Sequence, residues 1–326
     1  MGFDAENWKP TESSRPGSSA TLAKRTHAWI QADAPGPLVF VVGAMHGNEL
    51  AGLVAGERVV AALADSGSLT AGEVVVVVGN RKAMKRGRRY IDRDLNRRWD
   101  SKGVQRLLSR RKDERSREDK EQQELLAVFE ELTADPERHA IYLDLHSTSG
   151  EAAPFACVMP TPENQALCAH LDVPQVLDLQ RYIDSPSMVW WVDRGRPALG
   201  IEGGLHEDPQ TVDRLERVIW ETLRGLEMVA EIPPDRLEVG GVDAALRGRS
   251  FRVVHRRGVI PGMSFCMEPG FHSFQGIREG QVLATERTGT VRSPCDGYIF
   301  LPRYQDQGDD GFFIMIAADE DPSLTR

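Results

Sequence analysis

Residues 38–49 read LVFVVGAMHGNE, and the chain continues from Leu50 to Ala64 as LAGLVAGERVVAALA. The opening run, Leu38–Val42, is short, uninterrupted and rich in branched side chains, as a strand buried on both faces of a mainly parallel sheet should be. From Glu49 to about Ala64, apolar residues at Leu50, Leu53, Val54 and Val60 fall at helical spacing. A second buried run, Val74–Val78 (VVVVV), follows. Strand, helix, strand is the signature of an α/β fold.

The same reading extends outward. A helix is expected from about Lys120 to Leu132, then a strand at Ile141–Leu145 (IYLDL), a short strand at Leu199–Glu202 feeding a loop, and a helix over Pro209–Val229. Residues 110–121 (RRKDERSREDKE) are charged everywhere except Ser116, which predicts a solvated excursion. A polar, proline-containing stretch from Glu231 to Gly241 (EIPPDRLEVGG) marks a boundary. Beyond it, the runs FRVVH, QVLATE, TVRSP, GYIFLP and FFIMIA are punctuated by glycine and predict a small β-rich unit. The expected organisation is a loose tail over 1–20, an α/β domain over 21–232 and a β-rich C-terminal domain over 233–326.

Composition narrows the function. A formal net charge of -9 over 326 residues disfavours nucleic acid or an acidic membrane surface as a partner. Cys157, Cys168, Cys266 and Cys295 lie far apart with no Cys-x-x-Cys pair, against a disulfide scaffold or a cysteine zinc site and in keeping with a reducing compartment. The start, MGFDAENWKPTESSRPGSSA, has no apolar core, Glu6 stands where a myristoylation signal needs Ser or Thr, and no run approaches the roughly 18 apolar residues of a bilayer span. The chain reads as cytoplasmic, without a membrane partner; a homo-oligomeric state is left open. There is no Gly-x-Ser-x-Gly, Walker or Gly-x-Gly-x-x-Gly motif, and His206-Glu207 lacks its second histidine, because position 210 is Gln210 and Pro209 breaks the helix.

His46 and Glu49 stand three residues apart directly after a predicted buried strand, and His146 ends another. Ligands collect at the carboxyl ends of strands in open α/β sheets. Two imidazoles and a carboxylate leave a fourth zinc position for water, as in catalytic sites. Asp144, on the same side of its strand as His146, either orients that ligand or ends the strand. Residues 81–98 carry nine Lys or Arg against two Asp; within them Arg89, Asn96 and Arg97 belong to a mixed segment, RYIDRDLNR, with the look of a structured loop. Arginine forks grip carboxylates, so a zinc site facing them asks for a small anionic substrate. Glu202, in Gly200-Ile201-Glu202-Gly203-Gly204, is a general base if it lies beside a zinc-bound water.

Taken together, HGNE at 46–49, RYIDRDLNR at 89–97, DLHST at 144–148 and IEGG at 201–204 resemble the aspartoacylase and succinylglutamate desuccinylase family, relatives of the zinc carboxypeptidases. The resemblance spans roughly residues 24–230. It implies an α/β/α sandwich around a mixed, mainly parallel sheet, with a β-rich C-terminal domain partly covering the site. It also implies one zinc ion per chain on His46, Glu49 and His146, activation of the water by Glu202, polarisation of the scissile carbonyl by Arg89, and binding of the substrate carboxylate by Asn96 and Arg97. The expected activity is removal of an acyl group from an N-acyl amino acid or similar small carboxylate-bearing amide. The alternatives are a zinc carboxypeptidase acting on short peptides and a non-catalytic metal- or anion-binding protein. Two features depart from the family. Val192 stands where aspartoacylase has a further arginine about ten residues before the glutamate, with Arg194 and Arg196 as substitutes, and the C-terminal tyrosine corresponds to either Tyr298 or Tyr304. The run RTGTVRSPCDGYIF resembles the hairpins of biotinyl and lipoyl domains but lacks the modified lysine, so no such cofactor is expected.

Overall fold

The computed structural model describes residues 3–10, 17–237, 242–260 and 262–320. Fourteen strands occur among them: β1 (Thr26–Gln31), β2 (Leu38–Gly43), β3 (Glu73–Val78), β4 (Ala140–Thr148), β5 (Phe155–Val158), β6 (Gln175–Leu177), β7 (Ala198–Leu205), β8 (Ser250–Gly258), β9 (Cys266–Met267), β10 (Gln275–Ile277), β11 (Val282–Glu286), β12 (Gly289–Arg292), β13 (Gly297–Phe300) and β14 (Asp310–Ala317). Eleven form one mixed sheet in the order β1-β3-β2-β4-β7-β5-β6-β8-β14-β13-β10, and β12-β11-β9 form a small antiparallel one. The pairs β2–β3, β2–β4 and β4–β7 are parallel, as the buried runs require.

Those runs are apolar at every position because they serve two cores. Val39 and Val41 of β2, Val74, Val76 and Val78 of β3, and Ile141, Leu143 and Leu145 of β4 share one core with Leu53, Val59 and Leu63 of the helix Ala51–Ser66 and Leu215, Val218 and Ile219 of the helix Gln210–Gly225. The alternate residues Leu38, Phe40, Val42, Val75, Val77 and Tyr142 pack on the other face against Leu125, Val128 and Phe129 of the helix Arg117–Leu132 and against Trp190 and Trp191. Period-two alternation therefore builds a helix–sheet–helix sandwich. Helix Ala51–Ser66 lies so close to the sheet that a Cβ on Gly52 would come within 2.6 Å of the Leu145 Cβ.

Three local expectations change. The first helix starts at Ala51, not Glu49, because Glu49 donates its N–H to the His46 carbonyl in a turn. The last helix of this half ends at Gly225 rather than Val229. The charged run is not wholly solvated: Glu118, Asp119 and Glu121 are buried. Ser116 caps the helix at Arg117, its Oγ accepting the Asp119 N–H. Glu118 then accepts the backbone N–H groups of Ile91 (2.8 Å), Asp92 (3.0 Å) and Arg93 (3.3 Å) and the Asn80 amide, so one buried carboxylate holds the arginine-bearing loop. Glu121 takes the Arg25 guanidinium at 2.7 Å. A charged run can bury itself where each carboxylate finds donors.

The β-rich runs form β8 and β11 to β14, and β8 pairs in parallel with β6, so the main sheet passes from the α/β half into the C-terminal half without an edge. In the N-terminal stretch Trp8 is buried and its indole donates to His27 Nδ1 at 2.9 Å; residues 1–2 and 11–16 of the expected tail, and 238–241 of the boundary segment, lie outside the described residues. Among those described, no helix is long and apolar enough to cross a membrane.

Replacing Glu118 with Ala strands several buried N–H groups, which predicts a loss of about 2–4 kcal/mol in urea denaturation. Arg111→Ala, which removes an exposed pair with Asp113 from the same charged run, should change stability by less than about 0.5 kcal/mol.

Candidate metal centre

His46 and Glu49 occupy the turn between β2 and the helix Ala51–Ser66. The turn is set by close packing: a Cβ on Gly47 would lie 2.2 Å from backbone atoms of Ala83 and Met84, so only glycine fits, and the Gly47 N–H is held by the Arg89 carbonyl at 3.1 Å. His146 lies on β4, directly across from Glu202 on the neighbouring β7. The parallel register thus places both side chains at the carboxyl end of the sheet.

His46, Glu49 and His146 are buried, and one potential ligand atom from each lies within 4.8 Å of the others. Glu49 is the hub, with Oε1 2.9 Å from His46 Nδ1 and Oε2 2.8 Å from His146 Nδ1. On the far side of each ring, His46 Nε2 faces Asp94 Oδ1 at 3.2 Å and His146 Nε2 faces Asp144 Oδ2 at 3.1 Å. Each imidazole is thus bracketed by two carboxylates, with Glu49 at both Nδ1 atoms and Asp94 or Asp144 at Nε2. A metal ion among the three would replace the protons that otherwise lie between the imidazoles and Glu49. Two imidazole nitrogens and one carboxylate, each imidazole backed by a second carboxylate, form a donor set that fits zinc. Burial opposes charge on His146, yet Asp144 and Glu49 hold its pKa well above the ordinary value. Burial would raise the pKa of Glu49, but the two imidazoles hold it well below.

The supporting groups interlock. Ser187 donates from Oγ to Asp144 at 2.6 Å and from its N–H to Asn96 Oδ1 at 2.7 Å, and Asn96 Nδ2 donates to Asp144 at 3.2 Å. Much of the Asn96 amide is therefore spent on orienting Asp144. Arg89 donates to Glu49 at 3.1 Å and to Asp94 at 3.2 Å. Burial disfavours its charge, but Asp94, Glu49 and Glu202 raise its pKa above the usual arginine value.

One cavity brings together His46, His146, Arg89, Asn96, Arg97 and Glu202, and Asp310 of β14 joins them. Glu202 Oε2 is buried without a hydrogen-bond partner among the described residues. Burial pushes its pKa up to about 8, with Glu49 and Asp144 adding to the rise and His146 and Arg89 opposing it. The expected surplus of positive charge is absent: Arg97 is 3.1 Å from Asp310 and 3.6 Å from Asp94, so both arginines are neutralised within the protein. Nor do the other candidates reach this cavity. Arg194 lies over the Trp190 ring, Arg196 donates to the carbonyls of Thr133, Asp135 and Arg138, Tyr298 packs on Phe251, and the Tyr304 hydroxyl bonds the backbone of Glu268 and Phe271. Asp94, Ser187 and Asp310 went unread in the sequence. Asp94 carried a weak signal, two residues before Asn96; Ser187 and Asp310 carried none.

The sequence profile of the succinylglutamate desuccinylase/aspartoacylase catalytic domain matches residues 35–202, just over half of the chain. The chain belongs to this family. Solved structures of similar fold include succinylglutamate desuccinylase from Vibrio cholerae (15% identity, 87% of this chain and 82% of that one, TM-score 0.63). Murine aminoacylase 3 is similar too (17%, 88% and 97%, 0.62), as is the product-bound ectoine utilization protein EutE from Ruegeria pomeroyi (17%, 88% and 87%, 0.62). No curated protein matches by sequence. The fold shared with desuccinylase and aspartoacylase relatives includes the C-terminal half, since the overlap extends well beyond residue 202.

The purified protein should carry about one zinc per chain by elemental analysis, and His46→Ala or His146→Ala should abolish it. Asp94→Asn and Asp144→Asn remove only the groups behind the imidazoles and should weaken zinc by about 10–100-fold in chelator competition.

Proposed function

We propose that the protein is a zinc-dependent amidohydrolase that removes the acyl group from an N-acyl amino acid or a similar small amide. The observation that carries this reading is the unpartnered Glu202 carboxylate, set in register beside His146 and facing the same cavity as the His46–Glu49–His146 cluster. Glu202 is half-buried, but its Oε2 is shut from solvent, where a structural carboxylate would be expected to have a donor. Zinc on the three ligands would supply Lewis-acid charge to the scissile carbonyl and acidify a water at its open position.

The chain's own groups supply the rest. The Glu202 carboxylate accepts the proton of the attacking water and returns it to the leaving amine nitrogen. A raised carboxyl pKa favours this two-way transfer, because the group must hold the proton between the steps. Arg89 is fixed through Glu49 and Asp94 and borders the cavity, so its guanidinium can donate to the carbonyl oxygen as negative charge grows there. Asn96 and Arg97 border the site of the acyl or amine substituent. Acyl removal is also what the names of the similar proteins, desuccinylase and aminoacylase, describe.

Glu202→Gln should retain zinc but lose about 10²–10⁴-fold in turnover of a hydrolysed N-acyl amino acid, because the amide keeps the shape and removes the base. Arg89→Ala should lower kcat more than it raises KM, because its stabilisation grows toward the transition state. Zinc-loaded Glu202→Gln with wild-type turnover would remove Glu202 from this role.

A further inference from the structure

The cavity beside the metal cluster has a wall unlike its polar floor: Val158, Leu179, Ile183, Met188, Leu301 and Phe313 line it. A second cavity adjoins it, and Arg89, Glu202, Leu301, Asp310 and Phe313 border both. The second is polar, lined by Ser147, Thr148, Ser149, Gln305 and Gln307. Glu202 and Arg89 therefore stand where an apolar arm and a polar arm meet.

The cations of the apolar arm are spoken for. Arg89 is pinned by Glu49 and Asp94. Arg97 gives Nη1 to the Asn96 carbonyl at 2.9 Å and Nη2 to Asp310 at 3.1 Å. Asp310 is itself held by Arg256 Nε of β8 at 2.5 Å, so the carboxylate is anchored from behind. Around the two arginines lie the carboxylates of Glu49, Asp94, Asp144, Glu202 and Asp310. Arg89 is thus answered by Glu49 and Asp94, and Arg97 by Asp310, before any substrate arrives. A second substrate carboxylate would enter an apolar-walled arm beside a fixed like charge, and burying an unpaired charge is costly.

Resting on the amidohydrolase reading, we infer that Asp310 is a specificity-determining residue that takes the place at Arg97 of a substrate carboxylate. The apolar arm then accepts an uncharged alkyl or aryl acyl group, and the polar arm takes the other half of the amide.

The test uses matched four-carbon acids, butanoate and succinate, which differ only in the far carboxylate. Calorimetry on the zinc-loaded full chain should show butanoate binding at least about 10-fold tighter than succinate, with affinity rising by up to about four-fold per methylene toward hexanoate. Asp310→Asn frees the Arg97 fork and should improve succinate by about 10-fold or more while butanoate changes little. Succinate binding to wild type as tightly as butanoate, or no binding of any of these acids, would overturn the inference. If the variant does not fold, the wild-type series decides alone. Hydrolysis of N-butanoyl and N-succinyl amino acids separates the two claims. The predicted binding order without hydrolysis of either amide removes the hydrolase reading and keeps the charge selection, whereas hydrolysis of both at equal kcat/KM removes the charge selection and keeps the hydrolase.

Discussion

Glu49 is 2% exposed, yet its two carboxylate oxygens meet His46 Nδ1, His146 Nδ1 and an Arg89 guanidinium nitrogen, all within 3.1 Å. Charge buried at that depth must be compensated locally. The surroundings follow from this demand. Asp94 and Asp144 hold the far side of each ring, Ser187 and Asn96 fix Asp144, and the two Nδ1 atoms converge with Glu49 on one spot. Two imidazole nitrogens and a carboxylate brought together in this way fit a metal ion.

Two structural devices bring these groups together. The parallel register of β4 and β7 sets Glu202 opposite His146, and the buried Glu118 carboxylate gathers the N–H groups of residues 91–93 so that Arg89, Asp94, Asn96 and Arg97 face the sheet end. The C-terminal half takes part through the backbone. Because β8 extends the main sheet and pairs with β14, Asp310 arrives beside Arg97 as a fixed counter-ion.

What could be read in advance followed from local pattern. Uninterrupted LVFVV and VVVVV announced strands with a core on each face, and HGNE after one strand with DLH ending another announced the cluster of His46, Glu49 and His146. What could not be read depended on pairings across long stretches of chain. Glu118 looked like one charge in a solvated run until its donors, about 25 residues upstream, were in place. Arg97 and Arg89 were read as free cations because their partner carboxylates come from other elements, Asp310 lying more than 200 residues away in sequence. The strands β5 and β6 are too short to show periodicity, and neither Tyr298 nor Tyr304 could be assigned until the backbone that occupies the Tyr304 hydroxyl was seen.

The central claim is that Glu49 and the Nδ1 atoms of two histidines converge on one metal. A crystal structure of the zinc-loaded protein with anomalous data at the zinc edge tests it directly. A single strong peak is expected about 2.0–2.2 Å from His46 Nδ1, His146 Nδ1 and a Glu49 oxygen, with both Nε2 atoms still on Asp94 and Asp144. A peak bound through Nε2, one held by other residues, or none at this cluster in zinc-containing crystals would contradict it.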